Sequence, residues 1–338
     1  MRLSTFLLAA GLSTLVHAAP THKKRANKLQ FFGVNESGPE FGTGDLPGVY
    51  GTDYTWPILS TYDTFIAQGM NTFRVNILME RLTPSGLTGG FDAAYLGNLT
   101  QQVDYITNAG AYAIICPHNY GRFNGDIITS TDNFQTWWEN VATVYKANSL
   151  VIFDTNNEYH DMAGSLVASL NQAAINGIRK AGATSQYITA EGNAYTGAWT
   201  WTTAVGTDGE TNAVTMGALT DSSDKLIYQM HQYLDSDGSG TSETCVNSTI
   251  GSERLKAATT WLRSNNKQGP VGEYAGAVNS VCEAAVEDML SYIDANNDVW
   301  TGALWWAAGP WWGTYIFSIE PTDGPAYSTF APLIEAYE

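Results

Sequence analysis

The chain has 338 residues and carries 33 acidic against 16 basic side chains, a net charge of −17 at neutral pH. So acidic a protein has no attraction for nucleic-acid phosphates or anionic membrane surfaces and suits a neutral substrate, although plain solubility accounts for the charge equally well. The length is enough for one large domain with a substantial core, or for two small ones.

At the N-terminus Arg2 precedes an apolar run over residues 3–16, and Val16-His17-Ala18 offers a cleavage point after Ala18. This is the pattern of a secretory signal peptide, too short and wrongly flanked for a membrane span. Lys23-Lys24-Arg25 follows as a dibasic processing site. The expected organisation is a signal peptide over 1–18, a short pro-segment over 19–25 and one domain over 26–338. The leader holds four basic residues and no acidic ones, so the mature chain is more acidic still. No later segment has 18 uninterrupted apolar residues, and a secreted, extracellular, soluble monomer is expected.

Beyond the leader, short apolar segments alternate with segments of helical period. Candidate strands cover 31–35, 72–77, 112–117, 150–154, 187–190, 225–230, 270–272 and 302–306. They are rich in Val, Ile, Phe and Tyr and apolar on both faces, as parallel strands covered on both sides are. Between them lie amphipathic stripes. Tyr95, Leu99, Val103 and Ile106 follow a candidate N-cap at Asp92 and stop at Gly110. Leu166, Leu170, Ala174 and Ile178 end at Gly182, and further stripes run through Leu255, Ala258 and Leu262 and through Val286, Met289, Leu290 and Ile293. Strand–helix alternation repeated eight times predicts an α/β fold, a single-domain (β/α)8 TIM barrel. A doubly wound open sheet is the nearest competitor, and its nucleotide fingerprint is absent. No linker or repeat marks an appended binding module.

In such a barrel the chemistry sits where strands end. The fourth strand runs into Asn156-Asn157-Glu158, and the seventh ends in Gly272-Glu273-Tyr274. Two carboxyl groups on one rim are what acetal hydrolysis needs, one to protonate the leaving oxygen and one to attack or stabilise the sugar cation. Other rim residues fit. Arg74 in the second strand can hold a carboxylate ionised. His118-Asn119-Tyr120 follows the third strand, His231-Gln232-Tyr233 the sixth, and Trp305-Trp306 closes the eighth. Trp199, Trp201, Trp311 and Trp312 fall in expected top loops. Sugars bind surfaces of this kind, with hydroxyls hydrogen-bonded and the C–H face stacked on a ring.

Three cysteines occur, and in a secreted protein one pair should bridge. Cys116 lies in the apolar strand 112–117, which leaves Cys245–Cys282. No C-x-x-C, His-Glu-x-x-His or P-loop pattern occurs, so neither a metal nor a cofactor is expected. Asp235-Ser-Asp237-Gly-Ser-Gly lacks the spacing of a calcium loop and reads as a turn. Sequons stand at Asn35, Asn98 and Asn247. Asn35 ends the first strand and should face the cleft unmodified, while Asn98 and Asn247 are candidate glycan sites.

Phe73-Arg74-Val75, Pro117-His118-Asn119-Tyr120, Asp154-Thr-Asn-Asn157-Glu158-Tyr-His160, Met230-His231-Gln-Tyr233, Gly272-Glu273-Tyr274 and Leu304-Trp305-Trp306 together resemble glycoside hydrolase family 5. The resemblance spans essentially the whole mature chain and is closest to the fungal endo-β-1,4-glucanases that lack a cellulose-binding module. It implies that Glu158 is the acid/base and Glu273 the nucleophile of a retaining mechanism. Arg74, His118, Asn157, His231, Tyr233 and Trp306 match the remaining site residues, and the family pairing supports the Cys245–Cys282 bridge. Two departures stand out. Asn193-Ala194-Tyr195 replaces the Asn-Ser-Trp common in these relatives, which points to weaker stacking by Tyr195 on the leaving-group side. The segment 204–217 is longer and should enlarge a rim loop. The expected substrate is a cellulose-type β-glucan, with a mannanase or a broad β-glucanase on the same scaffold as the alternative. A catalytically silent wall-binding protein is disfavoured by the retained glutamate pair.

Overall fold

The computed structural model describes residues 29–337, so the expected signal peptide and pro-segment lie outside the described residues. Eight parallel strands close into a barrel, β1 Phe31–Glu36, β2 Thr72–Ile77, β3 Tyr112–Pro117, β4 Val151–Asp154, β5 Tyr187–Glu191, β6 Leu226–His231, β7 Gly269–Tyr274 and β8 Trp300–Ala308. Each pairs with its sequence neighbours, and β1 closes the ring on β8. Besides a four-residue helical turn at Met79–Leu82, the α-helices of the described residues are α1 Leu59–Ala67, α2 Ala93–Asn108, α3 Thr131–Tyr145, α4 Gly164–Lys180, α5 Asn212–Thr215, α6 Ile250–Ser264, α7 Ser280–Ala295 and α8 Tyr327–Glu335. This is the TIM barrel expected from the alternation.

Helix ends obey local chemistry. Asp92 accepts the Tyr95 amide at 2.8 Å to cap α2, and Asn279 accepts the Cys282 amide at 3.0 Å to cap α7. The buried stripes of α6 and α7 are those of the sequence, with Leu255, Leu262, Val286, Met289 and Ile293 all fully covered. Gly177 lets α4 close on α3, since a Cβ there would sit 2.2 Å from the Gln135 carbonyl oxygen.

The barrel interior changes character along its axis. At the bottom, Phe31, Ile114, Ile152, Ile227 and Leu304 fill the bore, with the Phe31 ring set edge-on to Tyr112 and Tyr187. Above them the inward positions of β2, β4, β5 and β6 turn polar, and this layer carries the site.

The segment 204–217 is not a free rim loop. Asp208 accepts the Gly164 and Ser165 amides at 2.9 and 3.0 Å, capping α4 from a distance in sequence, and the Thr207 amide donates to the Met162 carbonyl. This segment thus clamps the connection that follows Glu158. The turn at 235–240 is a turn, with Asp235 accepting amides of Gly240, Thr241 and Ser242. Cys245 is bonded to Cys282, and Cys116 is free and buried. No helix among the described residues is long and apolar enough to cross a membrane.

Candidate active site

Arg74 is the hub of the polar layer. Its guanidinium is fully buried and donates to Asp154 (2.8 Å), Asn35 (2.8 Å), Glu273 (2.7 Å), Asn157 (2.6 Å) and Glu191 (2.9 Å). A planar fork with five donors can meet partners from β1, β4, β5 and β7 at once, which an ammonium cannot. Asn35 also donates to the Gly272 and Trp305 carbonyls, so it lies beneath the cleft and not in it. Its amide is fully committed to the barrel.

Glu273 is held at both oxygens, by Arg74 on Oε1 and by the Tyr233 hydroxyl on Oε2 at 2.8 Å. Two donors at these distances stabilise a charged carboxylate. Glu158 sits opposite, at φ 47°, a left-handed conformation uncommon for a residue with a side chain. Its amide donates to Glu191 Oε2 at 2.7 Å, which fixes that strained turn. His231 Nδ1 lies 2.7 Å from Glu158 Oε1 and 3.5 Å from Glu273 Oε2.

The electrostatics separate the two glutamates. Burial and the negative charge of Glu273 push Glu158 up to about 7. Burial alone would lower His231, but the anionic Glu273 and Glu191 win and raise it to about 10. Glu191 is driven the other way: against the burial penalty, His231 and Arg74 bring it down to about 2. Burial and the Arg74 charge keep His118 well below its ordinary value, hence neutral.

One oxygen of Glu158, one of Glu273 and a His231 nitrogen lie within 4.8 Å of one another. The trio has the spacing of metal ligands, but a protonated imidazole offers no lone pair, and Glu273 is already held by a guanidinium and a phenol. The set is built to move protons.

An open cleft of about 720 Å³ runs from Tyr233 past Glu158 to Tyr195 and Trp199. The Tyr195 ring lies flat on His160 at 4.4 Å with half its surface exposed, and Trp199 is 44 % exposed. Beside the pair, the Trp306 indole stacks on His118 at 5.3 Å, and Asn157 lies 3.4 Å from His118 Nε2. Trp311 is exposed at the rim, but Trp201 is not a rim residue: it is fully buried against Trp261. Asn247 is exposed and Asn98 half-buried on α2. Sequence reasoning overlooked Glu191 and Gln229. Both are inward residues of strands, and Gln229 Nε2 donates to Asp154 and Glu191. The signal available was a polar side chain at an inward position at the strand end, as in Glu191, or two residues before it, as in Gln229.

A family model described as cellulase, glycosyl hydrolase family 5, matches residues 25–309. Endo-beta-1,4-glucanase B of Aspergillus niger is 59 % identical over 336 residues, covering 99 % of this chain and 98 % of the relative. Endo-beta-1,4-glucanase B of Emericella nidulans is 57 % identical over 337 residues, covering 100 % and 99 %. Among solved structures, XacCel5A in complex with cellopentaose superposes with a TM-score of 0.87 at 37 % identity, over 92 % of this chain and 99 % of that one. By domain match, by near full-length identity and by barrel geometry alike, this chain belongs to the cellulases of glycosyl hydrolase family 5.

Proposed function

We propose that the protein is an endo-acting, retaining glucanase that cuts internal β-1,4-glucosidic bonds of cellulose and related β-glucans, with Glu158 as acid/base and Glu273 as nucleophile. The observation that carries this reading is the glutamate pair, whose oxygens approach within 4.8 Å, close enough for one carboxylate to attack the sugar that the other protonates. Glu273, held by Arg74 and Tyr233, attacks the anomeric carbon. As the C–O bond to the leaving sugar breaks, Glu158 gives its proton to the departing oxygen. The resulting glycosyl ester on Glu273 is then hydrolysed: Glu158, now a carboxylate, takes a proton from water, and the hydroxide displaces Glu273. His231 tunes Glu158, His118 and Trp306 are assigned to the sugar on the other side of the scissile bond, and Asn157, fully buried, holds Arg74. No step in this scheme calls for a metal or an organic cofactor.

A leader removed after Ala18 and after Arg25, secretion, a monomeric state and glycans on Asn98 and Asn247 belong to the same reading. Tyr195 and Trp199 supply stacking faces for the leaving-group sugars. Reducing-sugar release and viscosity on carboxymethylcellulose, barley β-glucan and glucomannan test it. Viscosity should collapse before reducing ends accumulate, with the glucans preferred. Faster turnover of mannan than of any glucan would overturn the specificity, and release of a single short product from chain ends would overturn internal cutting.

A further inference from the structure

We infer that Arg254, a residue of α6 outside the cleft, is the positioning residue for the sugar platform on the leaving-group side. The inference rests on the glucanase reading above. Arg254 is 3 % exposed. Its guanidinium donates to the Tyr233 carbonyl at 2.5 Å, the Asp235 carbonyl at 2.6 Å and the Ser236 carbonyl at 3.3 Å. Its carbon lies 4.3 Å from the centre of the Trp199 ring. The guanidinium is therefore met by three main-chain oxygens and one aromatic face; no carboxylate is hydrogen-bonded to it, and Asp235 and Asp237 act on it only through their charge.

That arrangement fixes Trp199 on one side and leaves the other open. The indole is 44 % exposed, and its amide donates to Gln232 Oε1 at 2.8 Å. Gln232 in turn donates to the Tyr233 carbonyl that Arg254 also holds. Trp199 shares its wall of the cleft with Glu158, His160 and Tyr195. Glu158 delivers its proton to the departing oxygen, so this wall meets the leaving sugar. An indole free to rotate would have to be ordered by each sugar that binds. One already stacked on a desolvated guanidinium presents its outer face at no such cost. Only a planar, forked cation can stack on the ring and reach three carbonyls together, so lysine cannot replace it.

Arg254 touches no substrate and acts through Trp199, so it should matter only where a sugar occupies that wall. The test compares kcat/KM for cellopentaose with that for β-cellobiosyl fluoride, whose leaving group offers no ring to stack. Arg254→Lys should lose about tenfold on cellopentaose, the size of one lost stacking contact, and change by less than about twofold on the fluoride. The Arg254→Lys/Trp199→Ala double variant should be no worse than Trp199→Ala alone. Equal losses on both substrates would mean that Arg254 acts through Tyr233 and Glu273, and multiplying losses would mean that it acts apart from Trp199. Either result overturns the inference. Trp199 is a surface residue, so Trp199→Ala will fold even if the Arg254 variant does not, and it must itself show the substrate split or the platform does not exist. Failure of the wild type to cleave cellopentaose at all would instead refute the glucanase reading.

Discussion

In the proposed mechanism Glu158 and Glu273, with the same side chain, have opposite duties, and their neighbours divide the work. Glu273 faces a guanidinium and a phenol at 2.7 and 2.8 Å, whereas Glu158 is buried opposite a negative charge and raised to about 7. The acid form of Glu158 must be present for the leaving oxygen to be protonated. A raised value keeps that form populated up to neutrality, so kcat/KM on a glucan should fall as pH rises through about 7. His231 opposes the rise through its charge and hydrogen bond to Glu158. Replacing it by asparagine should therefore move the alkaline limb upward in a pH–rate profile, together with a fall in kcat. A limb that stays in place would show that His231 does not set the acidity. Glu158→Ala should retain glycosylation by substrates whose leaving group needs no proton. Azide should then rescue turnover by giving a β-glycosyl azide, detectable by NMR. Azide should do nothing for Glu273→Ala, and a rescued Glu273→Ala would exchange the two assignments.

At the scale of the element, the Cys245–Cys282 bond fastens the segment after β6 to the first turn of α7 across a separation of 37 residues. Loop closure of that length contributes about 3–4 kcal/mol on the chain-entropy account. Cys282→Ser should lower the unfolding free energy by about that much in denaturant titration; an unchanged midpoint would show that the segment is already pinned without it. The elements themselves were legible because strands covered on both faces must be apolar and helices on a barrel must carry one stripe. Strand ends were less so. The apolar run stops at Ala190 and Met230, but the ladders continue through Glu191 and His231, whose polarity is tolerated because Arg74 and Glu158 receive it. That is why Glu191 escaped notice. Trp201 was misplaced for the converse reason. Its Gly and Thr neighbours look like an exposed loop, and only the tertiary contact with Trp261 buries it. The four-residue α5 has no stripe to detect, and the grip of Asp208 on α4 joins positions 43 and 44 apart, beyond any local pattern.

For the whole molecule, the barrel is a device for bringing carboxyl groups from distant parts of the chain into one small volume. Glu158 follows β4 and Glu273 ends β7, and the closed sheet with its Arg74 hub fixes their separation. In the proposed double displacement inversion happens twice and the product keeps the configuration of the substrate. Proton NMR of the first sugars released from a soluble cello-oligosaccharide reads that outcome directly, before mutarotation mixes the anomers. The β-anomer should appear first. The α-anomer first would mean a single displacement by water, and Glu273 would then be a general base and not a nucleophile.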